Sequence, residues 1–135
     1  MREGKVRAIG LSEVTVEEIA AARMTFEIAT VQNQYNATDR HCEGVLDDCA
    51  EQRVGFIPWF PVASGDLARP GGVLDTLATV NGVTVTQLSL SWLLQRSPVM
   101  LPIPGTSKVA HLEENCGAAT VALDRETING IGELV

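Results

Sequence analysis

Cysteine is scarce in this 135-residue chain: Cys42, Cys49 and Cys116 are an odd number with no CxxC pair. They build neither a disulfide frame nor a zinc site and suit a reducing compartment, which leaves Cys42 and Cys49 as small helix residues. Positive charge is short too, with 10 Lys and Arg against 17 Asp and Glu and a net charge of −7. That sign argues against affinity built on neutralising nucleic-acid phosphates. No apolar run approaches the ~20 residues that span a bilayer, and Met1 to Lys5 hold no apolar stretch of a secretory signal. Neither nucleic acid nor membrane is therefore expected as a partner, and the expected compartment is the cytoplasm. Groups suited to proton transfer are few: one tyrosine (Tyr35), two lysines (Lys5, Lys108) and two histidines (His41, His111). No nucleophile elbow, Gly-rich dinucleotide fingerprint, Walker loop or metal-ligand cluster occurs. What is plentiful is apolar material, 45% of residues, enough to pack a core and set disorder aside.

The apolar pattern alternates short β-like runs with segments of helical period, as expected of βα units around a parallel sheet. Four units are predicted. The first strand reads Lys5 to Leu11, and Thr15-Val16-Glu17-Glu18 then forms a capping box that starts a helix carrying Ile19 and Met24 near one face. The second strand is Ile28 to Gln32; a long polar loop, Asn33 to His41, leads to a helix of Glu43 to Arg53 with Val45, Leu46 and Cys49 inward. The third strand is Val54 to Pro58, followed by an excursion through Arg69-Pro70-Gly71-Gly72. Two helices come next: Val73 to Val80, ended by Asn81-Gly82, and one opened by a second capping box, Thr84-Val85-Thr86-Gln87, that buries Leu88, Trp92 and Leu93. The fourth strand, Val99 to Ile103, runs through Pro104-Gly105-Thr106-Ser107 into a helix of Lys108 to Ala118, and a last amphipathic segment starts at Asp124.

Parallel strands joined by right-handed crossovers bring every βα loop to one end of the sheet, so function is expected there. Gly105 to Lys108 before a helix combine free N–H groups, two hydroxyls, a lysine and a positive helix end, the ingredients of an anion site; the plainer reading of the residues alone is an N-cap at Thr106 or Ser107. Trp59, past a strand end, is placed either to stack on a flat heterocycle beside Ser12 and Gln32 or to plug the rim. Glu114 and Asn115 reach either an adenine edge or solvent.

Taken together, Gly4 to Ser12, Val31 to Asn36, Ile57 to Gly65, Leu101 to Ser107 and Leu112 to Asn115 resemble the aldo-keto reductase family. The resemblance implies an α/β fold, a fragment of a (β/α)8 TIM barrel, with residues 1–135 as its C-terminal half and four βα units in the places of strands five to eight. It also implies an oxidoreductase that uses NADP(H), or NAD(H) in some members, to reduce aldehydes and ketones. By the same resemblance Ser12 and Gln32 hold the nicotinamide carboxamide and Trp59 stacks on its ring. Phe60, Val62 and Ser64 belong to the loop near the pyrophosphate, and Gly105, Thr106, Ser107 and Lys108 surround the adenosine 2′-phosphate. His111 stands where many members carry a phosphate-binding Arg, and Glu114 and Asn115 where adenine is held. Glu13 replaces the usual Asn after the serine and puts an acid near the carboxamide.

The family's acid-base tetrad of Asp, Tyr, Lys and His comes from its first four strands. No catalytic residue is thus expected in this chain, and a carbonyl substrate is a partner only where the other half is supplied. Arg2-Glu3-Gly4 reads as the last turn and C′ glycine of a helix, in keeping with a truncated barrel. The alternative is a non-catalytic half-barrel that closes by homodimerising or by joining a separate N-terminal half.

Overall fold

A computed structural model describes residues 3–63 and 70–134. Three parallel strands, β1 (Gly10–Ser12), β2 (Thr30–Gln34) and β3 (Gly55–Trp59), lie side by side in chain order. The register pairs Ser12 with Gln32, Gln32 with Ile57 and Gln34 with Trp59. Helices α1 (Val16–Arg23) and α2 (Glu43–Gln52) cross between the strands; α3 (Val73–Asn81), α4 (Val85–Arg96), α5 (Val109–Gly117) and α6 (Arg125–Gly132) follow. Local chemistry sets the helix ends. Both capping boxes form, Thr15 with Glu18 and Thr84 with Gln87, and Gly82 closes α3 at φ 65°, a left-handed conformation that glycine enters without steric cost.

The burial alternation along β2 and β3 shows that one face of the sheet is packed and the other open. Val31, Phe56 and Tyr35 point into the helical layer, where they meet Ile19, Leu46, Leu88, Trp92 and Leu93. Tyr35 stacks on Trp92 with ring centroids 6.1 Å apart and meets Phe56 edge-on at 5.8 Å. Its hydroxyl donates to Glu43 Oε2 at 2.7 Å, and Glu43 also accepts from Arg96. Burial, and then the Glu43 carboxylate, push the Tyr35 phenol well above its ordinary range. Burial likewise lifts the Cys49 thiol to about 11.

Several sequence expectations are corrected. The first strand begins at Gly10 and not at Lys5, because pairing starts where Ala29 N donates to Ile9 O; Lys5 instead pairs with Glu3 in solvent. The second and third strands each run past their expected ends, to Gln34 and Trp59. The fourth strand is reduced to one parallel bridge between Phe56 and Met100. Phe56 N donates to Val99 O and Leu101 N to Phe56 O, but the next donor in that parallel ladder falls on Pro58, which has no N–H. Met24, expected near the face of Ile19, is the C-cap of α1 and is 88% exposed. Cys42 precedes α2 as its N-cap, while Cys49 lies within the helix; both are buried. No helix among the described residues is long and apolar enough to cross a membrane.

Candidate functional site

The βα loops gather at the C-terminal ends of the strands. Side-chain alternation puts Ser12, Gln32 and Trp59 on the open face of the sheet, at its upper rim. Ser12 and Gln32 are Cα partners, and Trp59 lies two residues beyond Ile57, the partner of Gln32, and so on the same face. A hydroxyl, a carboxamide and an indole are thereby brought together by three adjacent strands.

Backbone strain concentrates at this rim. Of the four non-glycine residues with positive φ among the described residues, three stand here, Glu13 (φ 53°), Phe60 (φ 61°) and Ala63 (φ 46°), while the fourth, Arg53 (φ 58°), ends α2; each carries a cost that its surrounding contacts sustain. The contacts are visible. Glu13 N donates to Gln32 O at 2.9 Å, Tyr35 N to Trp59 O at 3.4 Å, and Asn36 Nδ2 to Phe60 O at 3.3 Å. Glu13 Oε1 accepts from both Gln34 N and the Trp59 indole Nε1. The Phe60 ring lies against Trp59, centroids 5.9 Å apart.

A second part of the site is a cleft of about 460 Å³ lined by Val62, Thr86, Pro104, Gly105, Thr106, His111, Glu114 and Asn115. Six residues picked from the sequence, Val62, Gly105, Thr106, His111, Glu114 and Asn115, thus share one cavity. Ser107 and Lys108 line an adjoining groove with Thr106. Ser64 lies outside the described residues. Phe60 is not among the residues lining the cleft.

Neither hydroxyl caps the helix here. The N-cap of α5 is Lys108, with no side-chain bond, while Thr106 Oγ1 accepts from Lys108 N at 3.1 Å. The first N–H groups of α5 therefore lack a side-chain acceptor, and its first turn carries no acid. Glu114 is held from outside the cleft: Thr84 Oγ1 donates to its carboxylate at 2.5 Å and Gln87 Nε2 to its carbonyl at 3.2 Å. The capping box of α4 is thus also a brace for α5. Sequence reading missed Thr86 and the site role of Thr84; the Thr84 to Gln87 signature was legible, but its contact 30 residues onward was not. Of the scarce acid-base groups, His111 and Lys108 stand at the cleft and its adjoining groove, and the others lie apart from it. Tyr35 is fully buried on Glu43, and exposed His41 is paired with Asp39.

The family model described as "Aldo/keto reductase family" matches residues 1–135. An uncharacterized oxidoreductase of Schizosaccharomyces pombe is 50% identical over 132 residues, 98% of this chain and 43% of that protein. Pyridoxine 4-dehydrogenase of Escherichia coli is 42% identical over 133 residues, 96% of this chain and 46% of the enzyme. The crystal structure of an aldo/keto reductase from Klebsiella pneumoniae with NADP and acetate superposes with a TM-score of 0.89 at 28% identity, over 98% of this chain and 50% of that one. The chain therefore spans about half the length of the relatives it matches.

Proposed function

The chain belongs to the aldo/keto reductase family, and from that premise we propose that it is the cofactor-holding half of an NADP(H)-dependent reductase of aldehydes and ketones. The observation that carries this reading is the single cleft uniting Val62, Gly105, Thr106, His111, Glu114 and Asn115. Its donor set suits the cofactor. Uncapped N–H groups of α5, with Thr106, Ser107, Lys108 and His111, offer donors and positive charge to an adenosine 2′-phosphate. The Glu114 carboxylate and the Asn115 amide complement a purine edge. At the rim, Ser12 and Gln32 hold a carboxamide and Trp59 lies flat against its ring, while Phe60 and Val62 follow the pyrophosphate. When bound, the nicotinamide supplies the hydride; this chain binds it, orients it and keeps water from one side. His111 in the place of an arginine leaves NAD(H) as the competing cofactor.

The acid-base tetrad lies outside these residues in this reading. Tyr35 is buried with its hydroxyl committed to Glu43, and Lys5 stands in solvent against Glu3. Carbonyl reduction then needs an N-terminal half carrying the tetrad. Titration with NADPH is expected to quench Trp59 fluorescence and leave buried Trp92 unchanged, with carbonyl-dependent NADPH oxidation only after the N-terminal half is added. Turnover by the chain alone, or no quenching, refutes the reading.

A second reading rests on the open sheet face, where Leu101 and Ile103 are 52% and 48% exposed: a half-barrel that closes as a homodimer or with a separate N-terminal half. A sedimentation mass of twice the monomer supports the homodimer, and a monomeric mass unaffected by the N-terminal half refutes both forms.

A further inference from the structure

Among the described residues, Glu13 is the acidic side chain that reaches the Trp59 indole, and it does so across β2. One oxygen, Oε1, accepts from the indole Nε1 and from Gln34 N at 2.9 Å, while the Glu13 backbone donates to Gln32 O. These bonds tie the ends of all three strands together, and they hold Glu13 at φ 53° although it is not glycine. A conformation so disfavoured is kept only where its contacts outweigh the cost.

An indole fixed through its N–H cannot swing about its side-chain torsions, so its face is a preset platform for a flat ring. The carboxylate that fixes it also places a full negative charge at the platform's edge, among neutral neighbours Ser12, Gln32 and Gln34. A cationic ring already gains attraction from the indole face, and the carboxylate at its edge adds a further attraction that a neutral ring lacks. Resting on the cofactor reading above, we infer that Glu13 is a positioning and specificity-determining residue: it latches Trp59 as the stacking platform and biases the site toward the oxidised, pyridinium form of a nicotinamide cofactor over the neutral dihydropyridine.

Two substitutions separate the latch from the charge. Glu13→Gln keeps an oxygen that accepts from the indole and removes the charge; Glu13→Ala removes both at the same backbone conformation. The chain has two tryptophans, so its indole N–H signals in a ¹⁵N-correlated NMR spectrum are two, with Trp92 as internal control. E13A is expected to shift and broaden the Trp59 indole signal alone, and E13Q to keep it sharp. NADP⁺ and NADPH are then titrated separately by tryptophan quenching. E13Q is expected to lower the affinity ratio of NADP⁺ to NADPH about fivefold, the size expected of one charge at a wet rim, and E13A to weaken both. An unmoved Trp59 signal in E13A overturns the latch, and an unchanged ratio in E13Q overturns the charge bias while the cofactor reading stands. Failure of both cofactors to bind the unmodified chain overturns the bias together with that reading, with the latch still decided by the NMR arm.

Discussion

Replacing Tyr35 by Phe deletes one hydroxyl from an otherwise closed core, and its cost follows from what that hydroxyl touches. It donates to Glu43 Oε2 at 2.7 Å from a side chain with no solvent exposure. A hydrogen bond to a charged acceptor contributes ~1.5–3 kcal/mol. Glu43 is 34% exposed and keeps Arg96 as a partner, which argues for the lower end, ~1.5 kcal/mol. The pH dependence supplies the sharper test. Burial and Glu43 raise the folded phenol well above its ordinary value, so between pH 10 and 11 the unfolded chain loses its tyrosine proton while the folded chain keeps it. The unfolded state then binds fewer protons, and stability falls as pH rises, by ~1.4 kcal/mol at pH 11. Tyr35→Phe lacks that loss. The Cys49 thiol, lifted to about 11, weakens both proteins alike at alkaline pH and cancels in the comparison. Urea unfolding is therefore expected to show a gap of ~1.5 kcal/mol at pH 7 that closes by about pH 11. Since Tyr35 is the only tyrosine, tyrosinate absorbance follows it directly. A gap independent of pH, or tyrosinate in the folded chain at pH 10, refutes the reasoning.

Thr106→Val removes the hydroxyl that accepts from Lys108 N and is expected to weaken NADPH about tenfold while changing NADH little, read by quenching titrations with each. Thr84 both caps α4 and holds Glu114. Thr84→Ala is expected to cost ~1 kcal/mol in urea unfolding and to weaken NADPH, whereas Thr84→Asp restores the cap but sets a carboxylate against Glu114, so stability returns only in part and affinity does not. Gly10→Ala places a Cβ 2.4 Å from Thr30 Oγ1 and is expected to lower stability by ~1–3 kcal/mol, with Thr30→Ala recovering much of it in the same unfolding assay.

Features written within four residues of one another were legible in the sequence. The capping boxes at Thr15 and Thr84 and the Asn81-Gly82 stop needed only local hydrogen bonds, and each stands where the pattern put it. The fourth strand failed because the limit on it sits in its neighbour. Its own residues, Val99 to Ile103, favour extension, but Pro58 on β3 has no N–H to offer. The Glu13 to Trp59 bond spans 46 residues and the Thr84 to Glu114 bond 30, so neither leaves a local signal. Glu13 could be noticed as an acid beside the expected carboxamide site, yet its partner became visible only once three strands were in register.

That register also separates what the strands do for stability from what they do for binding. On the open face the lowest layer holds Gly10, Thr30 and Gly55, the next holds Ser12, Gln32 and Ile57, and Gln34 and Trp59 stand above them at the rim. The lower residues are small or apolar because the strands close on one another: a Cβ on Gly55 would lie 3.1 Å from Leu101 Cδ1 and 3.3 Å from Thr30 Cγ2. The rim residues are polar or aromatic and sit where the chain bends into loops, beside the left-handed Glu13, Phe60 and Ala63. A parallel sheet is ordinarily covered on both faces; here the helices cover one, and the base of the other is built of small residues that Leu101 approaches. An added side chain at Gly10 or Gly55 therefore acts through the packing of the strands, whereas under the cofactor reading proposed above substitutions at Ser12, Gln32 or Trp59 act on binding.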